Sequence, residues 1–321
     1  MRIMTRLFLL LFSTAIAGSA MADGFPNKPV RFIVPYPPGG TTDILARTIG
    51  QKLEQRWGQS VVIENRPGGN SIIATGAVAN ARPDGYTIGM VLTPHVVNPN
   101  VNPDLPYDTA KDFTPITMVA KFPGLMVASK ASGAKNIDDV IRLAKENPGK
   151  LNYGSAGPLT SSQLSMEILK YQTGIDITHI PYKGGAPALM AVLANEVQFV
   201  IGGPPNLMPN VLEGNLQTIG VTTKNRAESL PEVPTIAEQG LADFDTYEWY
   251  GVVAPAGLPK EVVTELNEAI VEVLKMPDVQ ESFKKRAAEI VGNSSEEFGK
   301  FIDDELRFWK ELVNNISFET D

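Results

Sequence analysis

Cysteine is absent from this chain of 321 residues, and histidine nearly so, with His95 and His179 as its two examples. Without cysteine there are no disulfides, no thiolate metal ligands, no cysteine nucleophile and no N-terminal cysteine to carry a lipid. Neither histidine lies in an H-E-x-x-H motif or in a cluster with metal-ligand spacing. We therefore expect no catalytic metal and no cofactor.

Blocks of like charge are also missing. The formal net charge is −8, and removal of Arg2 and Arg6 with a leader peptide would make it −10, since −8 − 2 = −10. Nucleic acids and anionic membranes attract clustered lysine and arginine, which this chain lacks. An anionic ligand must therefore be held by local groups.

Apolar stretches long enough to span a membrane are missing as well. Residues 7–17 are apolar but short, they follow Arg2 and Arg6, and they precede the small-x-small sequence Ala20-Met21-Ala22. This order is typical of a secretory signal peptide. We expect export to the periplasm, cleavage after Ala22 and a soluble mature protein without a lipid anchor.

Strand-like and helix-like segments alternate along the rest of the chain. The composition, 43% hydrophobic and 20% charged, is that of a globular protein long enough for two cores. Strands are predicted at 30–35, 60–64, 86–92, 150–155, 175–181, 197–201 and 216–222. Helices with apolar residues four apart are predicted at 42–57, 161–171, 187–194 and 259–275, and a capping box at 294–297 opens another over 296–313.

This alternation predicts an α/β fold of mostly parallel sheets covered by helices on both faces. In such sheets, ligands bind outside the carboxyl ends of the strands. The functional residues are therefore expected in the strand-to-helix loops.

The first such loop is YPPGGTTD, at residues 36–43. Pro37 and Pro38 stiffen it, the two glycines that follow allow unusual backbone angles, and Thr42 is predicted to cap a helix that starts at Asp43. Free N–H groups at a helix start form an anion site. An ordinary capped turn explains the same residues equally well.

A second loop, YGSAGPLTSSQL at 153–164, has the same design and more hydroxyl groups. Two such loops would hold one anion from opposite sides. No G-x-G-x-x-G opens a helix and no phosphate-binding G-x-x-x-x-G-K-[ST] occurs, so a carboxylate fits better than a nucleotide.

Enzyme motifs are incomplete. The GSAG stretch at 154–157 differs by one residue from a nucleophile elbow, and SGAK at 132–135 lacks the companion motifs of S-x-x-K enzymes. His179 alternates with apolar residues and is interpreted as a structural strand residue. A serine hydrolase acting through Ser155 remains the alternative from another class.

The order of several short motifs resembles the Bug-type, TctC-like solute-binding receptors of tripartite tricarboxylate transporters. The matching stretches cover nearly the whole mature chain: PYPPGGTTDILAR at 35–47, ENRPGG at 64–69, PDGYT at 83–87, LPYD at 105–108, KDF at 111–113, NYGSAG at 152–157, PYKGGAPA at 181–188 and WYGVVAPAG at 249–257.

The resemblance implies a two-domain, type II-like periplasmic-binding-protein fold. Domain 1 would comprise 23–123 and 250–321, domain 2 would comprise 124–249, and the chain would cross between them near 124–129 and 250–256. It also implies a monomer without enzymatic activity that closes on a small organic acid and delivers it to the membrane subunits of the transporter. A ligand sensor for a signalling partner would share the same pocket.

The resemblance also assigns the ligand site. The carboxylate would be held by the two loops and a distal group of residues would set selectivity. In the loops the expected residues are Gly39, Gly40, Thr41, Thr42, Asp43, Ser155, Ala156, Gly157, Thr160, Ser161 and Ser162. In the distal group they are Thr93, His95, Gly203 and Pro204.

Many family members carry an acidic residue near position 203, where this chain has Gly202-Gly203. We therefore expect a larger or purely acidic ligand rather than an amino acid, with His95 suited to a second carboxylate or an aromatic ring. Trp249 either lines the cleft or packs at the crossing between domains, and packing is the preferred interpretation.

Overall fold

The computed structural model describes residues 24–315. The expected signal peptide and its cleavage site lie outside these residues. The strands are β1 Val30–Val34, β2 Val61–Asn65, β3 Thr87–Leu92, β4 Phe113–Pro123, β5 Leu125–Ser129, β6 Asn152–Ser155, β7 Thr178–Pro181, β8 Phe199–Gly202, β9 Leu216–Val221, β10 Tyr247–Pro255 and β11 Glu289–Ile290.

The helices alternate with the strands, as the sequence predicts. They are α1 Thr41–Trp57, α2 Ile72–Ala79, α3 Pro94–Val101, α4 Ile137–Glu146, α5 Ser161–Thr173, α6 Gly185–Leu193, α7 Pro204–Leu212, α8 Lys260–Leu274, α9 Pro277–Lys284 and α10 Ser295–Asn315. Among the described residues, no helix is long and apolar enough to cross a bilayer.

Two sheets organise these elements. The first has the order β11-β4-β10-β3-β1-β2 and the second the order β7-β6-β8-β5-β9. The pairs β1–β2, β1–β3, β6–β7 and β6–β8 are parallel, whereas β10 runs antiparallel to β3 and β4. The predicted α/β fold with two sheets flanked by helices is confirmed.

The apolar spacing of α1 explains its packing. Leu45, Ile49 and Leu53 are buried on one face and join the core between the first sheet and α8. At the start of α10 the predicted capping box is present: the Glu297 amide donates to Ser294 Oγ over 3.2 Å, and the Ser294 amide donates to Glu297 Oε2 over 2.9 Å. This reciprocal pair fixes where the helix begins.

The chain passes from the first sheet to the second between β4 and β5, at Gly124, and returns just before β10. Hydrogen bonds tie the two crossings together: the Gly124 amide donates to Thr222 Oγ1 over 2.9 Å, and Thr222 Oγ1 donates to the Thr246 carbonyl over 2.6 Å. A side chain on residue 124 would meet Thr222 Oγ1 at 2.7 Å, so this approach requires glycine. β10 pairs with β4 from Tyr247 onward.

Candidate functional site

The first loop joins β1 to α1 and is held by the carboxylate of Asp43. Asp43 Oδ2 accepts from the Gly39 amide and from Arg47 Nε, each over 2.9 Å, and Oδ1 accepts from Asn65 Nδ2 over 2.9 Å. The Asn65 amide also donates to the Tyr36 carbonyl. Gly39 lies at φ +91°, a region that favours glycine. The loop is thus held in one conformation before any ligand arrives.

The charge of Asp43 is stabilised by these donors. Burial alone would raise its pKa, but the Arg47, Gly39 and Asn65 hydrogen bonds outweigh burial and lower the pKa to about 2. Asp43 is therefore ionised at neutral pH, and its carboxylate stabilises the loop by accepting a hydrogen bond from the Gly39 amide.

The predicted cap of α1 is wrong. The helix begins at Thr41, its N-cap is Gly40, and no side chain caps it. The first N–H groups of a helix have no acceptor within the helix, which applies here to the amides of Thr41 and Thr42. Thr41 is exposed and Thr42 is buried.

The second loop joins β6 to α5, and its hydroxyl groups also bond within the loop. Ser162 Oγ accepts from the Ala156 amide over 3.0 Å, and Thr160 Oγ1 donates to the Gly157 carbonyl over 2.7 Å. Ser155 Oγ accepts from the Gly157 amide over 3.1 Å. Gly157 lies at φ +129°. The hydroxyl groups of Ser155, Thr160 and Ser162, which the sequence predicts to bind ligand, therefore form hydrogen bonds within the loop. Ser161, the first residue of α5, is the predicted hydroxyl residue that forms no such bond in the loop.

His179 on β7 supports this loop from the neighbouring strand. Its Nε2 lies 2.6 Å from Ser155 Oγ and its Nδ1 lies 3.2 Å from Gln163 Nε2, while Tyr153 stacks on the ring at 4.8 Å. His179 is a strand residue, as predicted, but one that positions the loop. The Ser155–His179 pair has the spacing of a nucleophile and base. However, Ser155 has no exposed surface, and its hydroxyl lies within hydrogen-bond distance of both the amide and the carbonyl of Gly157.

The distal residues fall into different environments. Thr93 is the N-cap of α3 and is buried. His95 is 1% exposed and its ring meets Phe113 edge-on at 4.9 Å. Burial lowers the pKa of His95 to about 3, so it is neutral at physiological pH. Gly203 is the exposed N-cap of α7, and Pro204 is buried at its first turn.

The strand β10 presents different chemistry on its two faces. Glu248 and Tyr250 lie on the face toward α1, where burial, and then the Glu248 charge, raise the pKa of Tyr36 to about 12. Burial also raises the pKa of Glu248 itself. On the other face Trp249 is 1% exposed and packs against Phe298 and Phe301.

Sequence reasoning missed a cavity beside Trp249. It has a volume of about 300 Å³ and is lined by residues of α5, β10 and α10 together with Thr93, Asp245 and Thr246. It brings Thr93 and Ser161, predicted from separate parts of the chain, to one place. A signal for it was present in the sequence, since Thr246 and Trp249 flank the return crossing.

Within residues 24–315, no group of three or more His, Asp or Glu side chains stands close enough to hold a metal ion. The geometry thus offers helix amides, hydroxyl groups and a small cavity, a set suited to binding.

These features define a two-sheet α/β receptor with its candidate site at the strand-to-helix loops. The chain matches the model of the tripartite tricarboxylate transporter family receptor, TctC, over residues 45–318, and it belongs to that family. Members of this family and the similar solved structures are periplasmic solute-binding receptors rather than enzymes.

Three similar proteins illustrate the relationship. Protein BugT of Bordetella pertussis is 32% identical over 316 residues, which cover 97% of each chain. Rpa4515 of R. palustris, solved with adipate, is 34% identical with a TM-score of 0.80, over 92% of this chain and 99% of that one. MatC (Rpa3494) from Rhodopseudomonas palustris, solved with bound malate, is 29% identical with a TM-score of 0.77, over 90% of this chain and 100% of that one.

Proposed function

We propose that this protein captures a small carboxylate-bearing ligand between its two sheets and delivers it to the membrane subunits of a tripartite tricarboxylate transporter. The observation that carries the proposal is the pair of strand-to-helix loops, one from each sheet, each of which ends in a helix whose first residue has no side-chain cap. Adipate and malate in the two similar receptors support the ligand class.

The loops favour a carboxylate for a physical reason. Most of their side chains already form hydrogen bonds within the loops, so the groups left for ligand are mainly the backbone amides at the helix starts. Such amides, together with the partial positive charge of the helix end, stabilise an anion without a lysine or arginine. This agrees with the absence of basic clusters in the sequence.

The proposal includes the setting in which the receptor acts. The chain would be exported, cut after Ala22 and act in the periplasm as a monomer. Residues 23–123 with 250–321 would move as one domain and 124–249 as the other. A ligand that contacts both domains favours the closed state by its differential affinity for it, and the closed state would be presented to the permease.

Two proline substitutions test the amides without removing the helices. Thr41 and Ser161 are the first residues of α1 and α5, and both N-caps have extended backbones, with ψ of 171° at Gly40 and 156° at Thr160. Proline is favoured at this first helical position, and an extended residue before it is compatible. Thr41→Pro and Ser161→Pro therefore each delete one N–H group, whereas Thr41→Ala and Ser161→Ala retain it.

The measurement is thermal unfolding and calorimetric titration of the mature protein against mono-, di- and tricarboxylates, aromatic acids and amino acids. A hydrogen bond to a charged group contributes about 1.5–3 kcal/mol, so each proline variant should bind its carboxylate roughly 10–150-fold more weakly. The alanine variants should bind within about twofold of the parent. Equal affinity in the proline and alanine variants would contradict the amide site.

A further inference from the structure

A carboxylate that the two loops do not use lies beside the first of them. Glu248 is on β10, two residues before Tyr250, so the alternation of side chains along a strand places both on one face of the sheet. Tyr250 packs in the same apolar cluster as Tyr36 and as Leu45 of α1. Glu248 is therefore on the side of the first sheet where α1 begins.

The strand register places Glu248 at the ligand-binding edge of this sheet. Tyr250 is opposite Leu92, the last residue of β3. Because β10 runs antiparallel to β3, Glu248 lies beyond the carboxyl end of β3. Tyr36 follows β1, which pairs in parallel with the other side of β3. The carboxyl ends of parallel strands are where ligands bind in such sheets.

A short chain of hydroxyl groups joins Glu248 to the start of α1. The hydroxyl of Thr42, the second residue of α1, donates to the Tyr250 hydroxyl, which donates to the Glu248 carboxylate. Two O–H···O bonds in series span no more than about 5.5 Å. The Thr42 amide is one of the donors in the proposed carboxylate site. A carboxylate bound there therefore has Glu248 within reach of the ligand's next one or two atoms.

Glu248 is accessible, and no cation among the described residues balances its charge. It is half-buried, whereas Tyr250 is 3% exposed. Burial raises the pKa of Glu248, and within the described chain the Tyr250 hydroxyl opposes this rise whereas no lysine or arginine does. Lys121 pairs with the neighbouring position of β10 and so faces the other side of the sheet. Arg47 is bonded to the Asp43 carboxylate.

This charge discriminates between acids. A ligand carboxylate a few ångströms from an unbalanced carboxylate is repelled by it. A ligand that carries a hydrogen-bond donor next to its own carboxylate replaces that repulsion with a charge-assisted hydrogen bond. A hydroxyl or an ammonium group on carbon 2 is such a donor.

We propose that Glu248 accepts a hydrogen bond from the ligand, and that the ligand is an acid with a hydroxyl or ammonium group close to its carboxylate. The inference rests on the proposed carboxylate site and adds the ligand class to it. It replaces the expectation of a purely acidic ligand, because the acidic residue that is missing near Gly203 is supplied by β10.

Four sets of three acids, which differ within a set only at carbon 2, test the inference by calorimetric titration of the mature protein. They are propanoate, lactate and alanine; hexanoate with its 2-hydroxy and 2-amino derivatives; 3-phenylpropanoate, 3-phenyllactate and phenylalanine; and glutarate, 2-hydroxyglutarate and glutamate. In the set that binds best, the hydroxy acid or the amino acid should bind at least about tenfold more tightly than the unsubstituted acid. A smaller preference would overturn the inference and leave the carboxylate site standing. Failure of all the acids to bind would overturn the carboxylate site, and the inference with it.

Two substitutions separate the charge of Glu248 from its capacity to accept. Glu248→Met removes both and should abolish the preference for either donor. Glu248→Gln keeps one acceptor oxygen, so it should lower the preference for an amino acid about tenfold and retain most of the preference for a hydroxy acid. The unsubstituted acid should bind both variants at least as tightly as the parent, because the repulsion is gone. An equal loss of affinity for all members of a set would indicate a structural role and overturn the inference.

The matched control is Glu289→Gln. Burial raises the pKa of Glu289 as well, but it lies on β11, at the far edge of the sheet from β1 and in a separate groove. This variant should bind every acid within about twofold of the parent. If it lowers the preference as much as Glu248→Gln does, the preference reflects overall charge and the assignment to Glu248 is wrong.

Discussion

Replacement of Asp43 by asparagine would test whether one carboxylate shapes the first loop. Asparagine keeps the size but loses the charge and one of the two acceptor oxygens that now serve Gly39, Arg47 and Asn65. The pKa of Asp43 is lowered from 3.8 to about 2, and a shift of about 1.8 units corresponds to about 2.4 kcal/mol of folding free energy at neutral pH. Arg47 is 51% exposed, so screening reduces its part and we expect a loss of about 1.5–2 kcal/mol.

The pH dependence gives this prediction its sign. A carboxylate whose folded pKa is depressed contributes stability above its unfolded pKa and loses it as pH falls toward the folded pKa. The free-energy difference between the parent and Asp43→Asn should therefore be full at neutral pH and shrink as pH falls from about 4 toward about 2. Urea unfolding followed by tryptophan fluorescence at several pH values measures it.

The control is Glu54→Gln on the exposed side of the same helix, for which we expect no more than about 0.5 kcal/mol of change at any pH. Affinity for a carboxylate ligand should also fall in Asp43→Asn, because the Gly39 turn is no longer held. A difference between parent and variant that is the same at pH 7 and pH 3 would refute the reasoning.

Three further substitutions follow from particular contacts. Gly251→Ala would bring a methyl group against the Phe298 ring, with Cε1 at 2.8 Å, and should destabilise the fold by about 1–3 kcal/mol in urea unfolding; parent-like stability would show that the ring moves freely. Ser155→Ala should lower the free energy of unfolding by about 1–3 kcal/mol and weaken ligand binding. If the parent hydrolyses an ester and Ser155→Ala does not, the hydrolase alternative would be supported instead. His95→Leu should remove the loss of stability that a buried neutral histidine causes as pH falls below about 6.5, where the unfolded chain takes up a proton and the folded one does not. If the free energy of unfolding of His95→Leu falls between pH 6 and pH 4 as steeply as that of the parent, this prediction is wrong.

The strands and helices on either side of the candidate loops could be predicted because their signals are local. The periodicity of Leu45, Ile49 and Leu53 and the buried run of β1 are written in neighbouring residues. Five of the described helices, α2, α3, α4, α7 and α9, are absent from the predicted ones. For α7 and α3 the reason is that proline is usually counted against a helix. α7 starts with Pro204 and Pro205 and contains Pro209, and α3 starts with Pro94. Proline is tolerated in a first helical turn, where its missing N–H has no partner anyway.

The internal bonding of the loops could not be predicted, because the partners are distant in sequence. Asn65 reaches Asp43 from β2, and His179 reaches Ser155 from β7. A polar residue in a loop signals hydrogen bonding but not its target. The sequence therefore predicted ligand contacts for several side chains that form hydrogen bonds within the loops, and the two loops stay a prediction of the ligand site.

Loop side chains that bond within the loops and helix-start amides that are left for ligand have a consequence for selectivity. In the proposed site, backbone amides at the starts of α1 and α5 would bind any carboxylate that reaches them, so they would not distinguish one acid from another. Discrimination would have to come from groups that contact the rest of the ligand. The two crossings between the sheets are linked by the hydrogen bond from Thr222 Oγ1 to the Thr246 carbonyl. A ligand that contacts both loops would act across these crossings, so the contacts that set selectivity would also favour closure through their differential affinity for the closed state.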